Sequence, residues 1–66
     1  MPILHSLKRL RESKFLTQQE LADKAGITRV AVARLESGRV DGRFSTIKKL
    51  AAALGVEPQE LVEAKS

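Results

Sequence analysis

Apolar residues recur along this chain at intervals of three and four with short polar breaks between them, a spacing that predicts five helices. Ile3, Leu7 and Leu10 form one stripe of a first helix from Ile3 to Ser13, with Lys8, Arg9 and Glu12 off it. Lys14-Phe15-Leu16 is a linker, and Phe15 or Leu16 is expected to cover the core. Residues 17 to 36 form two short helices around a tight turn. Thr17 offers its hydroxyl to the first free amides, Glu20 reaches back, and Leu16 with Leu21 brackets the cap. Thr28 opens the next helix with Ile27 and Val32 as its bracketing pair, although Ala31 stands where a reciprocating acid would sit, so this cap is weaker. Gly26 occupies the turn, where positive φ is expected, and Ala22 lets the two backbones approach. Leu21, Ala22 and Ala25 share one face, opposed by Ile27, Val32 and Leu35.

Two glycines and small polar residues make 37–43 a loop after a stop at Gly38, and Phe44 is expected to anchor it. Ser45 is expected to cap a fourth helix to Leu54, with Ile47, Leu50, Ala51 and Leu54 inward and Gly55 ending it. Pro58 then opens a short last helix whose Leu61 closes the core. Val62, with Val56 or Val40, offers a small patch for self-association.

Sixty-six residues make one domain, 1–66, of modest stability. With 42% hydrophobic and 30% charged residues the chain has the balance of a folded soluble domain. It has no cysteine, one histidine, and no acid or histidine cluster with metal-ligand spacing, so neither a metal nor a cofactor is expected and an enzyme is disfavoured. No apolar run reaches membrane-spanning length and the amino terminus lacks a signal-peptide layout, which points to the cytoplasm.

Charge changes the picture more than composition does. The net charge is +4, and residues 28 to 49, with six bases and two acids, hold all of the excess. Such a balance fits nucleic acid or an anionic membrane. A membrane helix would pair its bases with large exposed apolar residues, and here only Val30 qualifies. If Val32 and Leu35 face inward, about 100° of rotation per residue turns Val30, Ala33 and Arg34 outward, with Arg29 in the first turn. Arg29 opposes the helix dipole there, a placement that a polyanion would justify. The plainer alternative is a helical hairpin that builds a core and binds nothing.

Gln18, Leu21-Ala22, Ala25-Gly26-Ile27, Val32 and Leu35-Glu36 together resemble the helix-turn-helix of the XRE family, the phage Cro and repressor-like DNA-binding domains. The resemblance runs from Leu4 to Leu61. It implies an all-α, compact five-helix phage-repressor-like DNA-binding domain with the helix-turn-helix at helices two and three. Arg11 falls beside Leu4 on the inward side, where a half-buried guanidinium needs a carboxylate. Glu36 is the expected partner, a pairing the family commonly shows; otherwise both point to solvent. Family members often carry Asn-Pro before the fourth helix, and Asp41-Gly42-Arg43 departs from that, which puts the loop's phosphate contacts in doubt.

The expected role, implied by the resemblance, is a sequence-specific, double-stranded-DNA-binding transcriptional regulator of repressor type. Arg29 and Arg34 can present paired donors to guanine, Val30 can meet a thymine methyl, and Ala33 permits close approach. Gln18 is expected at a phosphate or bracing Arg29, and Thr28, Arg39, Arg43 and Lys48 along the DNA backbone. One copy buries little, so a homodimer on an inverted repeat is expected, with reading helices about 34 Å apart. The competing class is a protein-interaction module, an adaptor or antitoxin with a protein partner, built on the same fold.

Overall fold

The structure, a computed structural model, describes residue 4 and residues 6–38 and 43–62. Among these, the helices in order are α1 Leu7–Ser13, α2 Gln18–Ala25, α3 Arg29–Ser37, α4 Phe44–Leu54 and α5 Pro58–Val62. Each turns its apolar stripe to a single core. Leu7, Leu21, Val32, Leu50 and Leu61, one from each helix, are buried completely. Truncating such a leucine to alanine costs about 2–5 kcal/mol through lost transfer energy and the cavity left behind. The helix α2 packs on both α3 and α4, α5 lies on α4, and α1 closes the core against α3 and α5.

Local chemistry sets most of the boundaries. The Thr17 hydroxyl accepts from the Glu20 amide at 3.0 Å, and the Glu20 carboxylate accepts from the Thr17 amide at 2.8 Å. At α3 the Thr28 hydroxyl accepts from the Ala31 amide at 3.1 Å with no reciprocal bond, the weaker cap that the alanine predicts. Gly26 ends α2 at φ 73°, and the Ile27 amide then reaches back to the Ala22 carbonyl at 3.0 Å. Ala22, with no exposed surface, is buried in the core beside this turn.

The structure corrects two expectations and decides between the alternatives of a third. The first helix begins at Leu7 rather than Ile3, which lies outside the described residues. Leu4 still reaches the core, from ahead of the helix, because the Ser6 amide donates to the Leu61 carbonyl at 3.0 Å and holds the chain against α5. Second, Leu16 packs on the core, whereas Phe15 is 92% exposed. The end of α1 explains this: the Leu16 amide bonds the Arg11 carbonyl and the Phe15 amide the Glu12 carbonyl, a turn that puts Phe15 at φ 58° and throws its ring outward. Third, α4 begins at Phe44, with Arg43 ahead of it and no side-chain cap, so Ser45 lies inside the first turn. Phe44 is 74% exposed and anchors nothing, since it lies one turn beyond Ile47, the last α4 position that the core covers at that end.

Candidate nucleic-acid interface

A buried ion pair fixes the orientation of α3. Arg11 Nε meets Glu36 Oε2 at 2.5 Å, Nη2 meets Oε1 at 3.2 Å, and Nη1 donates to the Leu16 carbonyl at 2.7 Å. The two side chains keep only 11% and 5% of their surface exposed. The hydrogen bond to Glu36 holds the Arg11 pKa above its ordinary value against the opposing effect of burial. A pKa raised in this way stabilises the fold at every pH below arginine's ordinary value, and the contribution is lost only as pH rises through the raised one. Gln18 joins the pair, its Nε2 donating to Glu36 Oε1 at 3.0 Å. The expected bracing of Arg29 by Gln18 is therefore replaced by a bond that ties the start of α2 to the end of α3. Planar, forked guanidinium geometry suits such a junction, because one side chain meets a carboxylate and a carbonyl together.

With Val32 and Leu35 held inward, the opposite side of α3 is open. Arg29 and Arg34 are exposed, Val30 keeps 49% of its surface, and Ala33 is half-buried. Beside this side lies a depression of about 550 Å³ between α3 and the start of α4, lined by Thr28, Val30, Arg34, Arg43 and Thr46 among others. The structure thus brings two arginines from separate elements to one concavity. Neither they nor Arg29 has an ion-pair partner among the described residues. No acid stands in the first turn of α3 or of α4, and α4 starts without a side-chain cap. Positive dipole ends and free cations therefore accumulate on one surface, the arrangement that attracts a polyanion.

The predicted residues divide by position. Thr28, Val30, Arg34 and Arg43 meet at the depression; Arg29 and Ala33 lie on the same helix but do not line it. Arg39 and Val40 lie outside the described residues. Lys48 is exposed on α4 but sits about 160° around that helix from Thr46, so it is turned away from the depression. Thr46 is the residue that sequence reasoning missed. Its signal was available as the spacing of three from Arg43, which puts both at the amino end of α4, but it depended on where that helix starts.

Among the described residues no helix is long and apolar enough to cross a membrane, and no group of histidine, cysteine or acidic residues is placed to hold a metal.

Comparison with known proteins places this arrangement. An immunity repressor protein of Bacillus phage phi105 is 34% identical over 62 residues, which cover 94% of this chain and 43% of that protein. The chain spans about half the length of other relatives that it matches. In three dimensions it is similar to the restriction-modification controller protein C.AhdI from Aeromonas hydrophila, with a TM-score of 0.81, 42% identity and 83% of each chain covered. It is also similar to the N-terminal DNA-binding domain of the biofilm regulator SinR from Bacillus subtilis, with a TM-score of 0.78 at 27% identity over 89% of this chain and 87% of that one. A family model described as helix-turn-helix matches residues 7–61, and with it the chain belongs to the XRE-type helix-turn-helix family, whose members are transcription regulators rather than enzymes.

Proposed function

We propose that this chain binds double-stranded DNA sequence-specifically as a transcriptional regulator, with two copies on an inverted repeat and α3 of each in the major groove. The observation that carries this reading is the outward side of α3: exposed Arg29, Val30 and Arg34, without partners among the described residues, beside Arg43 across a shared concavity. An α-helix with its side chains is about 10–12 Å across, which fits a major groove about 12 Å wide. Arg29 and Arg34 read guanine, Val30 meets a thymine methyl, and Ala33 keeps the backbone close. Thr28, Arg43 and the uncapped amides of α4 hold phosphate, with the backbone amide of Gln18 at the edge, and Arg39, outside the described residues, is assigned the same role from its charge. The chain measures 28 × 21 × 19 Å, so two copies side by side suit half-sites about 34 Å apart.

Selection from a random duplex pool tests the reading directly. The expected product is an inverted repeat whose half-sites are one helical turn apart. Failure to bind any duplex at low salt would sink the DNA reading and favour a protein-binding module on the same fold.

A further inference from the structure

The turn between α1 and α2 carries an aromatic ring that the fold does not use. Phe15 sits at φ 58°, the one residue other than glycine in the left-handed region among the described residues, and it is 92% exposed. The backbone around it is clamped. The Phe15 amide donates to the Glu12 carbonyl at 3.0 Å, the Leu16 amide to the Arg11 carbonyl at 3.2 Å, and Arg11 Nη1 to the Leu16 carbonyl at 2.7 Å. Leu16 itself packs on the core, so the chain that bears the ring is held in one place. Backbone strain of this kind persists where the surroundings impose it, and it gathers at binding sites. Charge around the turn suits an anion: the exposed charged residues of α1 and its carboxyl end are Lys8, Arg9 and Lys14 against Glu12 alone. Lys14 has no ion-pair partner among the described residues, and Glu20, the first acid of α2, is bonded back to the Thr17 amide.

We propose that Phe15 is a further DNA-contact residue, its ring packed on a deoxyribose beside a phosphate that Lys14 meets. The proposal rests on the DNA reading above and extends its surface to the α1–α2 turn. In a helix-turn-helix the helix ahead of the reading helix crosses the DNA backbone. Here that helix is α2, capped by Thr17 and opened by Gln18, and Phe15 stands two residues ahead of the cap. A group at that margin meets sugar and phosphate rather than base edges, and such contacts fix register without reading sequence. The C–H face of a deoxyribose is apolar and suits an aromatic ring, while the neighbouring lysine supplies the charge. The ring therefore contributes to the complex the apolar contact that it withholds from the isolated fold.

Equilibrium binding of the full chain to its selected duplex and to single-base variants of it, with thermal melts in parallel, provides the test. Phe15→Gly is expected to weaken binding about tenfold, as for losing the burial of roughly half a phenylalanine side chain, while its melt is no lower than wild type. The loss should be the same on every duplex, because the sugar is the same at every base pair. Phe15→Tyr, which keeps the ring, is expected to bind as wild type does. Wild-type affinity in Phe15→Gly overturns the contact, leaves the DNA reading standing and leaves the ring to a protein partner. A loss confined to one base pair overturns the sugar assignment. Should Phe15→Gly melt below wild type, Phe15→Asn decides, since asparagine tolerates the same left-handed backbone, and wild-type affinity there overturns the proposal. A wild-type chain that binds no duplex at low salt overturns both readings together.

Discussion

Phe15 holds a backbone conformation that suits glycine and receives almost nothing in return, since its φ is 58° and its ring is 92% exposed. A left-handed residue with a side chain costs about 1–2 kcal/mol, partly offset because glycine gives the unfolded chain more freedom to lose. Phe15→Gly is therefore expected to stabilise the fold by about 1 kcal/mol, raising Tm by roughly 4–8 °C in a thermal melt. An unchanged or lower Tm would mean that the ring has a contact which offsets the strain. Gly26 shows the same constraint met in the ordinary way: a Cβ there would touch nothing within 4 Å, so only its φ of 73° excludes side chains. Residues on the two sides of the depression should separate in binding. Arg34→Ala is expected to cost about 1–3 kcal/mol at one base pair and little elsewhere. Arg43→Ala is expected to weaken binding to all sequences alike and to lower the salt slope by about 1. Competition against single-base variants of the selected site, repeated at several salt concentrations, distinguishes the two, and a sequence-blind loss in Arg34→Ala would remove it from base readout.

Between α2 and α3, geometry depends on a few bonds that converge on Glu36. Its carboxylate takes Arg11 and Gln18 together, which fixes the end of α3 against the start of α2. Glu36→Ala leaves the Arg11 guanidinium buried without its partner and is expected to destabilise the fold by about 3 kcal/mol in urea denaturation. Glu36→Gln keeps the shape and loses the charge, so a smaller loss is expected. Equal stability in wild type and Glu36→Ala would show that the junction is held by packing alone. Helix ends were legible wherever a threonine or glycine marked them, at Thr17, Gly26, Thr28 and Gly55. They were misread where the residue type was wrong for its place, as with Phe15 in a glycine's conformation and Arg43 ahead of an uncapped helix. The dipeptide Phe44-Ser45 looked like an anchor and a cap because its composition fitted both roles; the length of chain that the core covers decided otherwise.

Charge acts across the assembled protein. The formal net charge is +4 and its excess lies within residues 28 to 49. If two copies together neutralise about six phosphates, affinity should fall by roughly three orders of magnitude between about 50 and 200 mM salt, through loss of counterion release. A shallow slope in band-shift titrations would instead place the arginines away from the backbone. With 66 residues and no cysteine, no disulfide staples the fold, so a duplex that binds the folded state should raise its apparent Tm by mass action.

Apolar spacing, two threonine caps and a turn glycine were enough to state the helical fold, the inward faces and the outward direction of Val30 and Arg34, because these follow from local geometry that repeats every 3.6 residues. Packing alone could decide that Gln18 bonds Glu36 and that Arg34 of α3 meets Arg43 and Thr46 of the α4 start around one depression. Each of those relations joins elements whose separation in space is set by how the helices close on their shared core, and no spacing along the chain encodes it.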